Sequence, residues 1–197
     1  MNQPPDIGIL PISFATAIHD LSCFTWDRRI HISEREPPTQ IADYAAAIDA
    51  EIVAGDQDVA HGRLILLHCP GGDQSWQGEF RCVTFAQAEV TPEMIHDPFL
   101  AYVGWSWLTD ALDAHGASYA CESGTITTTA SVPFGALQEA DMRSQIEIRA
   151  SWTPWIDPEH SLKVHLEAWQ DLLCMIAGIP LDDDTIVALP RRIATGK

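Results

Sequence analysis

The stretch RLILLHCPGGDQSWQGEFRCVTFAQAEV, residues 63–90, holds the pattern that decides the fold. The apolar run RLILLHC is followed by a glycine-containing loop and then by EFRCVTFAQAEV, which is rich in branched and aromatic residues. Two such runs around a glycine-containing loop predict an antiparallel hairpin. In the loop, we expect Gly71 and Gly72 to supply positive φ angles and Trp76 to fold back over the turn.

The same loop is also the first candidate for chemistry, because it places His68 and Cys69 beside two glycines. A phosphate-binding loop needs GxxxxGK followed by Ser or Thr, between a strand and a helix, whereas this loop has no lysine and leads into a strand. His68 and Cys69 are neighbours in a strand, so their side chains point to opposite faces and do not form a nucleophile with its base. The stretch is therefore predicted to be a turn.

The segments before the hairpin predict two helices and a strand. Phe14, Ile18 and Leu21 repeat with helical spacing and predict an amphipathic helix over residues 11–25. The alternation in RIHISERE, residues 29–36, predicts a half-buried strand. Thr39 can cap a second helix that ends before Gly55, followed by a polar loop over residues 56–62. The apolar face of this second helix would hold Ile41, Tyr44, Ala45, Ile48 and Ile52.

The segments after the hairpin predict helices and further strands. A short helix from Thr91 is interrupted at Pro98 and leads into a helix that ends near Gly116. The apolar stripe of that helix is Leu100, Val103, Trp107, Ala111 and Leu112. Residues 117–131 predict either a hairpin or one long bulged strand, and QIEIRASW, residues 145–152, predicts a further strand. A cap at Asp157 precedes a closing helix with the stripe Leu162, Leu166, Trp169, Leu173 and Ile176.

This order of elements lacks the regular alternation of a parallel sheet, and adjacent strand pairs favour antiparallel pairing. We therefore predict an α+β fold with an antiparallel sheet of about five strands and helices that cover mainly one face. The 197-residue chain suits a single globular domain, 1–197. We expect its ends, about residues 1–10 and 190–197, to be loosely ordered.

Charge and composition restrict the possible partners. Eleven Lys and Arg against 28 Asp and Glu give a net charge of −17, a field that repels phosphate backbones and anionic lipid and so disfavours nucleic acid. No apolar run approaches the roughly 20 residues of a membrane span, and no basic region precedes an apolar one at the N-terminus. We expect a cytoplasmic protein with no membrane partner, whose five dispersed cysteines stay reduced.

Metal and catalytic motifs are not found in the sequence. The eight histidines show neither HExxH nor a Cys-His zinc pattern, and the acidic run 182–184 lacks the glycine and glutamate of a calcium loop. The chain also lacks GxSxG and GxGxxG. We expect no metal and no cofactor, and these observations favour a non-enzymatic protein without assigning any catalytic residue.

Seven tryptophans are the unusual feature of the composition, and four of them lie in GWSW, residues 104–107, and WTPW, residues 152–155. On a helix, Trp105 and Trp107 point about 200° apart, so that one can face the core and the other the solvent. An exposed tryptophan is a candidate anchor for a protein partner. Alternatively, both fill the interface between helices and sheet.

Several blocks in a fixed order resemble an actinobacterial domain-of-unknown-function family of small acidic cytoplasmic proteins. The blocks are GRLILLHCPGG, FRCVTFAQAEVTPEM, VGWSWLTDALDAHGASYACESGTI, EIRASWTP and HLEAWQDLLCMIAGIP. The likeness runs from about Ile30 to Pro180. It implies no reaction, no cofactor and no catalytic residue.

Two functional hypotheses follow. The first is a non-enzymatic protein-binding or adaptor module that presents the open sheet face or an exposed tryptophan patch to a protein partner, or self-associates through it. The second is a small-molecule site between the sheet and the helices, with or without catalysis. Its candidate residues are Trp105, Trp107, Arg149, Trp152 and Trp155, with His68 at the rim.

Overall fold

The structure is a computed structural model that describes residues 10–55, 57–137 and 142–181. Its strands are β1 (Ile30–Arg35), β2 (Tyr44–Ala54), β3 (Gln57–Asp73), β4 (Gly78–Glu89), β5 (Tyr119–Ser131) and β6 (Arg143–Pro154). Its helices are α1 (Ile12–Cys23), α2 (Pro92–Ile95), α3 (Leu100–Ala114) and α4 (Lys163–Ile176), with a 3-10 turn at Gly135–Leu137. The strands form one antiparallel sheet in the order β1-β2-β3-β4-β6-β5. The α+β fold is therefore confirmed, with six strands instead of about five.

The helices pack on one face of this sheet, and the core lies between the two layers. Alternate residues of the central strands point toward the helices and are buried, among them Leu64, Leu66, Cys82, Ala86, Ile146 and Ile148. The predicted stripe of α4 is confirmed, because all five of its residues are buried. Trp169 of α4 also donates a hydrogen bond from Nε1 to Oγ1 of Thr84 over 2.7 Å, which ties the helix to the middle of the sheet.

Gly62 and Gly104 let the helices approach the sheet closely. A Cβ atom on Gly62 would lie 2.5 Å from Cδ2 of Leu173 in α4. A Cβ atom on Gly104 of α3 would lie 3.2 Å from Cδ1 of Ile146. The predicted stripe of α3 is therefore only partly correct, since Gly104 and Leu108 face the sheet while Val103 is exposed.

The helix predicted between Thr39 and Gly55 is wrong, because this segment forms β2. Ile48, Ala50 and Ile52 are buried at a spacing of two residues, and β2 pairs with β1 on one side and β3 on the other. Those two neighbours supply its backbone hydrogen bonds, and this pairing outweighs the helical preference of its alanines. The loop predicted at residues 56–62 is also wrong from Gln57 onward, where β3 begins.

The β3–β4 hairpin is confirmed, and its turn is closed by Asp73, which pairs with Gly78. The Asp73 carboxylate accepts backbone hydrogen bonds from the two residues that follow Gln74, at 2.8 and 3.3 Å. Gly72 has a φ of 73°, as predicted, whereas Gly71 does not adopt a positive φ. The backbone carbonyl of half-buried Trp76 accepts a hydrogen bond from the side chain of a β6 threonine over 2.6 Å, so the turn is tied to β6.

Within residues 117–131 the structure has one bulged strand, β5, and not a hairpin, which decides between the two predicted alternatives. The register of β5 against β6 shifts between Ala120 and Ser123, and Cys121 within the shift has a φ of 53°. Beyond the same end of β6, Asp157 does not cap α4, which begins at Lys163. Instead, the Asp157 carboxylate accepts hydrogen bonds within its own turn, from the backbone of Glu159 at 2.8 Å and from His160.

Two further predictions concern the cysteines and the ends of the chain. All five cysteines are free, and Cys82 and Cys174 are buried. Within the described residues, no helix has the length and apolar character needed to cross a membrane. The predictions for residues 1–9, for the acidic run 182–184 and for residues 190–197 lie outside the described residues.

Candidate functional site

The face of the sheet opposite the helices forms a shallow concavity of about 1070 Å³ that no described helix covers. Side chains from β2 to β6 line it, among them Asp49, Arg63, Phe85, Gln145, Arg149 and Thr125. Five of these residues share a face because they lie opposite one another on successive strands, in the order Asp49, Arg63, Phe85, Arg149 and Thr125. Gln145 shares it because it lies an even number of residues from Arg149 on β6. We call this surface the open sheet face.

Five of the nine arginines lie at positions on the open sheet face: Arg35, Arg63, Arg81, Arg143 and Arg149. Carboxylates stand among them. Nε of Arg63 lies 2.6 Å from Oδ1 of Asp49, and Nε of Arg35 lies 3.3 Å from Oδ2 of the same carboxylate. The hydrogen bond from Arg63 holds the pKa of Asp49 below its usual value. Glu51, Glu89 and Glu147 stand on the same face, so within a chain of net charge −17 this face is close to charge-balanced.

An aromatic ring forms the middle of the open sheet face. Phe85 is half-buried, and the guanidinium carbon of Arg149 lies 5.5 Å from the centroid of its ring. The ring of His61 lies 5.3 Å from Phe85 on the other side. Arg149 also donates from Nε to Oε1 of Glu147 over 2.7 Å and remains 66% exposed. A partly covered aromatic ring beside an exposed arginine has the composition of an interface hot spot.

A buried arginine lies at the edge of this face, under the β5 bulge. The guanidinium of Arg81 donates from Nη1 to the carbonyl of Cys121 at 2.8 Å and to the hydroxyl of Thr153 at 3.0 Å. From Nη2 it donates to the hydroxyl of Ser151 at 2.7 Å and to that of Ser123 at 3.2 Å. Its burial lowers the pKa of Arg81. These neutral oxygen acceptors tie β4 and β6 to the bulge, so the role of Arg81 is to hold the rim of the face in place.

A second cavity, of about 450 Å³, lies between α3, α4 and the segment around α2. Its apolar lining includes Met94, Trp107, Ala111 and Met175, and Asp171 stands at its border. This volume is within the range of small-molecule pockets, about 300 to 1,000 Å³. We call it the α3–α4 cleft.

The six residues predicted from the sequence do not converge on one pocket. Arg149 lies on the open sheet face, whereas Trp152, three positions along the same strand, points into the core and is fully buried. Trp155 lies just beyond the end of β6 and is 58% exposed. Trp105 and Trp107 are both half-buried. Trp105 lies over Gly124 of β5, and Trp107 lines the α3–α4 cleft.

His68 is a core residue rather than the rim of a site. It is fully buried, with its ring stacked on Phe14 at 5.5 Å and close to Phe80 at 4.3 Å. Its Nε2 lies 3.3 Å from the hydroxyl of Ser13, and its Nδ1 has no hydrogen-bond partner among the described residues. Burial lowers the pKa of His68, which keeps the imidazole neutral.

The buried titratable groups of the core have the properties of packing residues. Burial lowers the pKa of His165 to about 4, and burial raises the pKa of the Cys82 thiol. A protonated thiol and a neutral histidine without access to solvent cannot serve as nucleophile and base. Within the described residues, no three side chains of His, Cys, Asp or Glu group together as a metal site.

Sequence reasoning missed the residues that build the open sheet face, namely Asp49, Arg63 and Phe85. Alternation in the hairpin strands placed Arg63 and Phe85 away from the core, which was an available signal. Asp49 was missed because its segment was predicted to be a helix. The contact between Asp49 and Arg63 depends on the pairing of β2 with β3.

Comparisons with known proteins give a family and no activity. The family described as "Protein of unknown function (DUF3000)" matches residues 10–185, which include every helix and strand described above. No curated protein and no solved structure matches the chain. The open sheet face and the α3–α4 cleft are the two surfaces that could bind a ligand or a partner.

Proposed function

The chain belongs to the DUF3000 family of proteins of unknown function, and from this premise we propose that it is a non-enzymatic protein-binding module. The open sheet face is its binding surface, and an extended segment of a protein partner is the ligand. The observation that carries this proposal is a concave sheet face that no helix of the described residues covers, with an aromatic ring and an exposed arginine at its centre. Most of the buried apolar residues lie on the helical side of the sheet, so the open sheet face is left available to a partner.

The charges of the open sheet face support a protein partner rather than a polyanion. Asp49 and Glu147 bind arginines, and Glu51 and Glu89 stand on the same face, so its five arginines leave little excess of positive charge. The net charge of −17 repels nucleic acid and anionic lipid at long range. A protein surface that is uncharged or charge-balanced needs no positively charged binding site and is not repelled by the net negative charge of the chain.

The same pairing supports a non-enzymatic role. A general base needs a pKa near the working pH, whereas the pKa of Asp49 is held low by its arginine partner. The carboxylate of Glu147 already accepts a hydrogen bond from Arg149. We further propose a cytoplasmic location and an actinobacterial origin, which the resemblance over residues 30–180 implies.

A capture experiment with matched variants tests this function. The wild-type chain, the double variant Phe85→Ala with Arg149→Ala, and the control Arg28→Ala serve as bait in a lysate of the source organism. Arg28 is an exposed arginine outside the open sheet face. We expect at least one protein to be retained by the wild type and the control and lost by the double variant. With that protein purified, each single substitution should weaken binding about tenfold or more.

Two results would overturn the proposal. Equal retention of all proteins by the three baits would show that the open sheet face is not the binding surface. Equal affinity of the purified partner for the wild type and the double variant would show the same. Circular dichroism of each variant establishes that a loss of binding does not come from unfolding.

A small-molecule site is the second candidate function, and the α3–α4 cleft is the observation that favours it. A cleft with a mainly apolar lining that includes Trp107 and Met175 fits a small apolar ligand. Native mass spectrometry of gently purified protein would show an added small mass. We expect Trp107→Ala to lose that mass and the control Trp155→Ala, at an exposed tryptophan outside the cleft, to keep it. Wild-type protein without any added mass would count against this function.

A further inference from the structure

The outer edge of β5 carries no paired strand within the described part of the chain. The strand pairs with β6 on one side and ends the order of the sheet. Every residue from Thr125 to Ser131 is uncharged, and all of them except half-buried Ile126 are exposed. Such an edge presents a row of free backbone N–H and C=O groups, which is a template for pairing with another strand.

Within the described residues, the two edges of the sheet differ in length and charge. Strand β1 has only 6 residues and ends in the charged pair Glu34 and Arg35. Short length, charge and bulges are features by which proteins prevent pairing at an edge. Strand β5 has 13 residues, its bulge is confined to Ala120–Ser123, and it carries no charge after Glu122.

Large apolar side chains are exposed close to this edge in the fold. Val132 and Phe134, one and three residues after the end of β5, are 53% and 78% exposed. Exposed apolar side chains that follow one another at the end of an unpaired strand mark an interaction surface.

We infer that two copies of the chain form a two-fold symmetric dimer by antiparallel pairing of their β5 edges. A strand that pairs with its own copy places each residue opposite another residue of the same run. Between Thr125 and Ser131, only Thr, Ile, Ala and Ser would meet, and pairs of threonines stabilise neighbouring strands. This pairing therefore brings no like charges into contact, although each copy carries a net charge of −17.

The exposed apolar side chains add buried area to the dimer interface beyond that of the paired backbones. A stable interface buries roughly 800 Å² on each partner, and a paired strand edge supplies mainly backbone area. Val132 and Phe134 add apolar side-chain area at the end of the strand. The open sheet faces of the two copies would then lie side by side on one continuous sheet. This inference is independent of the proposed partner of the open sheet face.

The experiment measures the mass of the full chain in solution by light scattering coupled to size exclusion, and compares two matched variants. The variant Thr127→Lys with Thr129→Lys adds two lysines to the β5 edge. The control His31→Lys with Ser33→Lys adds two lysines on the same sheet face at the β1 edge. We expect the wild type and the control to show twice the 21.7 kDa of one chain and the β5 variant to show one chain.

Hydrogen exchange of the wild type keeps the inference testable even if the β5 variant does not fold. We expect the amides of residues 125–131 that do not bond to β6 to be protected at high protein concentration and to exchange quickly on dilution to the monomer. A monomeric wild type at all concentrations would overturn the inference. So would a β5 variant that stays dimeric, a control that dissociates with it, or a dimer held by a different surface whose dilution leaves exchange at residues 125–131 unchanged.

Discussion

We predict that the protein loses stability between pH 7 and pH 5 because His165 is buried as a neutral side chain. The side chain is 1% exposed and accepts a hydrogen bond at Nδ1 from Nε1 of Trp152 over 3.3 Å. Its Nε2 has no partner among the described residues. Burial lowers the pKa of His165 to about 4, since an imidazolium in this position would lose its hydration without gaining a carboxylate.

The size of the loss follows from the difference between the folded and unfolded pKa. The unfolded histidine has a pKa of about 6.5, so the unfolded chain binds the proton first as the pH falls. The stability that His165 contributes is complete above about pH 6.5 and is lost progressively toward pH 4. Between pH 7 and pH 5 the loss amounts to about 2 kcal/mol, at about 1.4 kcal/mol for each pKa unit.

Urea unfolding at the two pH values measures this contribution. His165→Gln keeps an oxygen that can accept the hydrogen bond from Trp152 but does not titrate. The free energy of unfolding of the wild type should therefore fall by about 2 kcal/mol more than that of the variant. His68, whose pKa is also lowered, is present in both proteins and cancels, and exposed His31→Gln serves as a control. An equal fall in the wild type and His165→Gln would refute the reasoning.

Three further predictions concern the sheet. Arg81→Lys removes most of the hydrogen bonds under the β5 bulge and should lower the free energy of unfolding by about 2 kcal/mol in urea titrations, with faster hydrogen exchange at residues 121–123. In Gly62→Ala, the added Cβ atom would contact the flexible end of the Leu173 side chain, which can move aside. We expect the free energy of unfolding to fall by about 1 kcal/mol. In Gly124→Ala, the added Cβ atom would lie 2.5 Å from a backbone carbonyl oxygen and 2.7 Å from the ring of Trp105. We therefore expect the free energy of unfolding to fall by about 3 kcal/mol. A smaller fall than for Gly62→Ala in the same urea titrations would contradict this order.

The parts of the fold that could be predicted are those in which the apolar residues fit a single period. In α4, residues such as Leu166, Trp169 and Leu173 are spaced by three and four, which only a helix brings to one face. In β2, Tyr44, Ile48 and Ile52 are spaced by four. That spacing fits one face of a helix and, because it is even, also one face of a strand. The choice between the two depends on whether neighbouring strands are present, which is not visible in the segment itself.

The candidate site was harder to predict because it depends on the register of strands that are distant in sequence. Asp49 contacts Arg63 because β2 pairs with β3, and Phe85 lies beside Arg149 because β4 pairs with β6. One error was avoidable. Arg149 and Trp152 are three positions apart in a predicted strand, so their side chains point to opposite faces and could not line one pocket.

The β5 edge, the open sheet face and the α3–α4 cleft lie in different directions on the fold, so that binding at one of them does not block the other two. Pairing at the β5 edge extends the sheet sideways, about 4.8 Å for each added strand, and leaves both of its faces as they are. The α3–α4 cleft lies in the helical layer, on the other side of the sheet from Phe85. Thr125 belongs both to the β5 edge and to the lining of the open sheet face, so the two surfaces meet there. A dimer would therefore enlarge the open sheet face at this border instead of covering it, and a partner bound near Thr125 could contact both copies.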